Sequence, residues 1–440
     1  SWCRSFWSFC SLYCAERFGR KWCLSPEQSI SIHAGNMTIP MQLLVRSPKA
    51  SNNKINLLYK TSLFDIQAAV PEEKNTVSYN GLRMYSLPAA LVFSSPKYFI
   101  QRPEDVRIAL LMIKDSSDIL ALLLEGGHSK VAGRLAGAFR NMHQENIAND
   151  IINSMKRAGY DVRENDPFAE VYTRQLRKRE TSPYVNRIIL LWEKMRQTVI
   201  DRFTETAKTS HNSDTYLQQV EDVYITDAYH SLSIEGYRIT EELIEKVRSG
   251  SWDPEMNKND NNQLQAMAAR GYWQAFQKVK ESLSKILKGM NPGEVIEQDF
   301  RNWYRELFGP SVTAGLLKVS DLAGYRNNQV FITGSMHVPV KPEAVRDTMP
   351  VFFDLLKQET DVSVRVVLGH FLFVYIHPYM DGNGRMGRFL MNVMLASGGY
   401  PWTVIPVNKR SQYMNALEAA SVEHDIRLFT DFISGCINKN

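Results

Sequence analysis

Cysteine is scarce in this chain and oddly placed. Five occur in 440 residues, four of them at Cys3, Cys10, Cys14 and Cys23, with Cys436 alone near the end. An odd number rules out complete internal pairing, and no spacing forms the C-x2-C pair of a zinc knuckle. Reduced thiols in a cytoplasmic protein are therefore expected. Long apolar runs are also missing: residues 366–376 are interrupted by His370 and fall well short of the roughly 20 residues that cross a bilayer. The aromatic-rich start carries Arg4 and Glu16 and has no small-residue cleavage site, so it does not read as a signal peptide. The chain begins with Ser1 rather than Met, and a preceding segment is expected. No repeat or low-complexity tract is visible, and neither sign of charge dominates. A net charge of +5 suits contact with phosphates but is too small for a dedicated nucleic-acid binder.

What is present is an ordinary globular composition, with 44% hydrophobic and 22% charged residues, in a chain long enough for two or three folding units. After an amphipathic helix over residues 1–18, the pattern turns β-branched and partly alternating. This predicts short strands at 29–33, 37–46, 55–59, 63–69 and 82–85. Helical spacing follows from Glu104 to Arg157. Residues 1–160 therefore read as a mixed α+β domain of regulatory or DNA-associated character. Residues 161–185, with Asp-Pro, Ser-Pro and a basic run at 174–180, read as a linker. From 186 to 440 almost everything is helical, including a helix over 213–236, apart from a hairpin expected at 325–337 around Gly334.

The stretch that carries chemistry is His377-Pro-Tyr-Met-Asp381-Gly382-Asn383-Gly384-Arg385-Met-Gly-Arg388, between an apolar helix and a second helix. Gly382 and Gly384 let the backbone turn its N–H groups toward one point at a helix start, which is an anion site. Arg385 and Arg388, three apart, project over the same loop and suit phosphate oxygens. Asp381 offers one hard oxygen, as magnesium requires when phosphates complete its shell. Asn383 offers an amide, and His377 a neutral imidazole able to accept a proton. Singly, these residues are a helix end, a turn and surface cations. Together they point to nucleotide chemistry.

These residues resemble the signature of the Fic/Doc family, H-P-F-x-D/E-G-N-G-R-x-x-R, with Tyr379 in place of the usual Phe. The likeness spans residues 186–440 and implies an all-α Fic-like helical domain with a β-hairpin flap, following the α+β N-terminal domain. It implies a protein adenylyltransferase that moves AMP from Mg2+-bound ATP to a Ser, Thr or Tyr hydroxyl of a protein. His377 would be the general base and Asp381 the metal ligand. Gly382, Asn383 and Gly384 would hold the α-phosphate, Arg385 the β-phosphate and Arg388 the γ-phosphate. Tyr413, with Arg410 and Asn415, would line the adenine pocket. The hairpin resembles the flap that aligns a target segment, and equally reads as a structural edge. Transfer of UMP or a phosphocholine-type group keeps the same loop.

Ser231-Leu-Ser-Ile-Glu235-Gly236 fits the family's inhibitory pattern S/T-x-x-x-E-G/N. Ser231 and Glu235 share a helix face, and Gly236 can end the helix with the carboxylate protruding. Pairing with Arg388 would deny that guanidinium to the γ-phosphate. The resemblance also implies auto-modification, removal of AMP in some relatives, and homodimers. Residues 24–46 faintly resemble abortive-infection antitoxin-like regulators. From that comes a second reading: a DNA-binding regulator whose Fic half senses nucleotide.

Overall fold

The computed structural model describes residues 2–168, 182–203, 212–252 and 260–437. The basic run at 174–180 and most of the expected linker lie outside the described residues. The chain forms two compact units, one of residues 1–190 with 331–338, the other of 191–330 with 339–440.

The first unit begins with α1 (Trp2–Phe18), whose Phe6, Cys10, Cys14 and Phe18 are buried against a small sheet. β1 (Cys23–Leu24), β2 (Gln42–Ser47), β3 (Lys54–Asn56) and β4 (Ser62–Gln67) lie in the order β1-β2-β4-β3. The central pair is parallel, in register from Gln42 with Ser62 to Ser47 with Gln67. β5 (Thr76–Tyr79) and β6 (Leu82–Tyr85) form a hairpin around Asn80-Gly81, both at positive φ. That is the turn whose twist matches antiparallel strands.

Residues 29–33, expected as a strand, belong instead to helix α2 (Pro26–His33). Ser25 accepts from the Gln28 N–H and Pro26 sits at the first turn, so the start signals outweigh the alternating Ser-Ile pattern. Helices α3 (Leu87–Phe93), α4 (Pro96–Gln101), α5 (Pro103–Leu111), α6 (Ser117–Gly126), α7 (Ser129–Asn141) and α8 (Glu145–Arg157) close over a second core that includes Phe99, Ile108, Leu135, Phe139 and Ile151. A buried ion pair joins Arg187 to Asp105 at 2.6 Å, with both side chains 1% exposed.

The units divide within α9 (Pro183–Arg202). The second unit contains α10 (Ser213–Asp222), α11 (Tyr224–Ile234), α12 (Glu241–Arg248), α13 (Asp260–Leu287), α14 (Pro292–Thr313), α15 (Pro342–Gln358), α16 (Val362–Ile376), α17 (Asn383–Ser397), α18 (Arg410–Glu418) and α19 (Arg427–Ile437). The single helix expected over 213–236 is two, broken at Val223. α16 is mostly apolar and buried along nearly its whole length, its Arg365 and His370 included. It is thus a central rod that fixes the loop following it.

The expected hairpin at 325–337 carries no strand. The backbone turns at Gly334 (φ +82), but side chains take acceptors that a ladder would use: Arg326 Nη1 donates to the Asn328 carbonyl, and Gln329 Nε2 to Pro339. Phe331 and Met336 instead pack on the core of the first unit, where the Ile39 N–H donates to the Met336 carbonyl. Among the described residues no helix is long and apolar enough to cross a membrane.

Candidate active site

The loop between α16 and α17 gathers most of the residues singled out in the sequence. α16 ends at His377, which adopts left-handed φ +55, ψ 61, and Pro378 cannot continue the helix. The imidazole Nδ1 lies 3.1 Å from the Val374 carbonyl. As the carbonyl can only accept, Nδ1 carries the proton and Nε2 is left as the basic nitrogen. Burial pushes the His377 pKa down to about 4, helped by Arg326 and opposed by the Val374 bond, Glu235 and Asp381. The ring is therefore neutral at pH 7.

Tyr379 is fully buried, with its ring stacked on Tyr304 at a centroid distance of 3.8 Å. Asn383 donates to the Tyr379 carbonyl and accepts from its N–H, both at 2.9 Å. Its side chain thus ties the loop together. An anion would meet the first turn of α17, whose N–H groups have no intrahelical acceptors.

Gly382 caps that helix at φ +80, and a Cβ there would meet Phe308 at 2.6 Å. At Gly384 a Cβ would overlap the Glu235 carboxylate and sit 3.2 Å from Arg388 Nη1. Only glycine leaves that space open.

Arg385 and Arg388 are 1% and 3% exposed. Arg385 lies over the rings of Phe308 and Tyr237 at 4.9 and 5.2 Å and touches Asp381 at 3.2 Å. Arg385 Nε and Arg388 Nη1 are buried without a hydrogen-bond partner, an expensive state for a donor and one that phosphate oxygens would relieve. Asp381 accepts from the Gly382 N–H at 2.6 Å, while its side chain stays 65% exposed. Among the described residues no cluster of three or more His, Cys, Asp or Glu could hold a metal alone. A magnesium ion, if bound with a nucleotide, would need only one or two protein carboxylates beside the phosphates, and Asp381 is the carboxylate in the loop.

Into this cradle projects the end of α11. Glu235 Oε1 accepts from Arg388 Nη2 at 2.7 Å. Arg388 also donates through Nε to Ser231 Oγ at 2.8 Å and through Nη2 to the Ser231 carbonyl at 3.0 Å. Burial works to raise the Glu235 pKa, but Arg388 and Arg385 prevail and hold it below the usual carboxylate value.

Gly236, at φ +92, turns the chain away. The helix is anchored elsewhere too. Tyr272 donates to Asp227 at 2.7 Å, the Val407 N–H donates to His230 Nδ1 at 3.2 Å, and Arg410 Nε donates to the Ile234 carbonyl at 2.8 Å. Arg410 therefore caps this helix.

Tyr413 is likewise enclosed, 1% exposed, its hydroxyl 2.7 Å from His370 Nε2. It is an electrostatic neighbour of Arg388. Sequence reasoning missed Asp227, Tyr272, His370 and Arg326, because each acts through partners remote in the chain.

Residues 294–395, which include the whole loop, match the model of the Fic/DOC family. The chain carries a Fic domain. Over 260 residues it is 29% identical to the protein adenylyltransferase Fic of Drosophila willistoni, covering 57% of this chain and 48% of that protein. The protein of the same name in Drosophila mojavensis gives the same identity, over 47% of its length. The chain thus spans about half the length of the curated relatives it matches. Solved structures similar to it include Fic-1 (aa134–508) from C. elegans, at 21% identity and TM-score 0.42, covering 72% of this chain and 89% of that one. A Fic domain containing signaling protein from Bacteroides thetaiotaomicron shows 19% identity and TM-score 0.39, covering 58% and 94%.

Proposed function

We propose that the chain is a protein adenylyltransferase that transfers AMP from ATP to a hydroxyl of a protein, itself included, and that Glu235 holds it in check. The observation that carries this reading is the 2.7 Å contact of Glu235 with Arg388 inside the phosphate cradle.

In the transfer, His377 Nε2 takes the proton of the incoming Ser, Thr or Tyr hydroxyl. That oxygen bonds to the α-phosphorus, the bond from the α-phosphorus to the bridging oxygen breaks, and pyrophosphate leaves. The α17 N–H groups, Arg385 and Arg388 hold the phosphates in line, and positioned charge of this kind supplies most of the acceleration in phosphoryl transfer. Magnesium held by Asp381 and the phosphates would neutralise developing negative charge. With Arg388 paired to Glu235, the γ-phosphate loses its cation and ATP lies unproductively.

The test is incubation with labelled ATP and magnesium, with labelled UTP alongside, comparing the native chain with Glu235→Gly and His377→Ala. Labelling should rise in the first variant and vanish in the second. Equal labelling in all three would sink the proposal.

A further inference from the structure

Arg326 occupies an unusual place for an arginine. It is 2% exposed, and among the described residues no carboxylate is hydrogen-bonded to it. Its guanidinium donates to backbone carbonyls: Nε to His377 at 2.8 Å, Nη1 to Asn328 at 3.0 Å, and Nη2 to Val340 and, at 3.5 Å, to Ile376. Its own N–H donates to the Pro378 carbonyl at 2.9 Å. A single residue thereby takes three successive carbonyls, Ile376, His377 and Pro378, at the end of α16.

Those carbonyls need a partner. The last turn of a helix leaves its C=O groups without intrahelical donors, and here the usual remedy is missing. A glycine commonly takes the left-handed position after a helix and brings local N–H groups back to the open carbonyls. In this chain that position is His377 itself, at φ +55, followed by a proline that has no N–H. A cation at a helix C-terminus is also favoured by the helix dipole. Against this stands the cost of burying a charge, visible in the fall of the Arg326 pKa to about 10, which burial drives and Glu343 opposes.

On the transferase reading given above, we propose that Arg326 is a positioning residue for His377: it clamps the left-handed backbone that aims Nε2 at the target hydroxyl. Arg326 also starts the segment that runs to Val340, so this clamp ties that segment to the base. The charged groups that act on His377 are Arg326 from this segment, Glu235 from the end of α11 and Asp381 from the loop. Removing the first takes away a cation that disfavours the imidazolium, so the acid limb of the rate should move to higher pH.

The experiment uses the full chain carrying Glu235→Gly, with Arg326→Gln, Arg326→Lys and His377→Ala each added. Labelled AMP transfer is followed against ATP concentration and pH, with thermal melting beside it. Arg326→Gln should lower kcat about 100-fold, the loss expected of a misplaced catalytic group. KM for ATP should change by less than about threefold, because the phosphate cradle is untouched. Arg326→Lys, which keeps charge but not the fork, should fall between the two. The acid limb should move to higher pH in Arg326→Gln and stay in place in Arg326→Lys, which retains the cation.

Unchanged kcat in either folded variant, or an unchanged pH limb in folded Arg326→Gln, overturns the proposal. So does a loss in which kcat and KM worsen together in step with melting temperature. Should Arg326→Gln not fold, Arg326→Lys decides by the same criteria. If His377→Ala transfers as well as its parent, the transferase reading itself falls, whatever Arg326 does.

Discussion

Two buried arginine–carboxylate pairs in this protein have nearly the same length and opposite characters. Arg187 and Asp105 meet at 2.6 Å with both side chains 1% exposed, and Asp105 also accepts from Ser31, Tyr98 and Asn36. Arg388 and Glu235 meet at 2.7 Å, but Glu235 is 24% exposed and stands at the end of a helix beside a glycine cradle. The first is sealed from solvent among neutral hydrogen-bonding side chains. The second has its carboxylate partly open beside the cradle, which on the proposed function makes it a plug that a polyanion would replace. Distance alone does not separate the two; access to the pair does.

The sharpest way to break the comparison is at the base and the plug. In a Glu235→Gly chain, His377→Ala should reduce transfer by about 100-fold to 10,000-fold, the range for loss of a general base, read as labelled AMP incorporated. Next comes stability. Asp105→Ala should cost about 3–5 kcal/mol in denaturant unfolding, because it strands a buried guanidinium. Glu235→Gly should cost less, about 1.5–3 kcal/mol, because the buried Arg388 keeps its bonds to Ser231 Oγ and the Ser231 carbonyl. Similar losses at both sites would erase the distinction.

A smaller effect is expected at Arg410, which caps the plug's helix through the Ile234 carbonyl. Arg410→Gln should release transfer several-fold, corresponding to about 1 kcal/mol of lost capping.

The pH dependence sharpens the same contrast. Glu235's pKa is depressed, so its bond to Arg388 is complete above the unfolded value and is lost only as pH falls through the lower folded value. The ratio of Glu235→Gly to native rates should therefore stay flat from about pH 6 to 8. Asp227 behaves the opposite way: burial raises its pKa to about 6 against the Tyr272 bond. The folded state then holds its proton longer than the unfolded chain, so stability should fall as pH rises through about 4 to 6, and Asp227→Asn should flatten that slope in urea midpoints.

The smallest change concerns Tyr379, whose buried hydroxyl has no hydrogen-bond partner. Tyr379→Phe removes an unsatisfied group while keeping the stack on Tyr304, and should raise stability by about 1 kcal/mol, measured as a shift in melting temperature.

Much of the candidate site was legible because it is local. Asp381, Gly382, Gly384, Arg385 and Arg388 lie within one loop and the first turn of one helix, and helical spacing alone sets which of them share a face. What the sequence did not announce is that the Asn383 amide closes on Tyr379, a side-chain-to-backbone bond that residue type permits but does not specify. In the first unit, β6 was readable from its alternating pattern and the Asn-Gly turn before it. Residues 29–33 were not, because Ser-Ile-Ser-Ile alternation suits a strand while the Ser25-Pro26 start favours a helix. The expected hairpin at 325–337 failed because Arg326 and Gln329 bond the carbonyls that strands would have shared.

By itself the sequence determined the chemical contents of this protein: an imidazole, a carboxylate, glycine-spaced amides and two guanidinium groups between His377 and Arg388, with a second carboxylate at a helix end upstream. Only the tertiary structure decided who meets whom. Glu235 reaches Arg388 across 153 positions of chain, and Arg326 takes the His377 carbonyl across 51. Such pairings depend on how buried helices such as α16 pack and where their ends fall, and short-range periodicity carries no record of that.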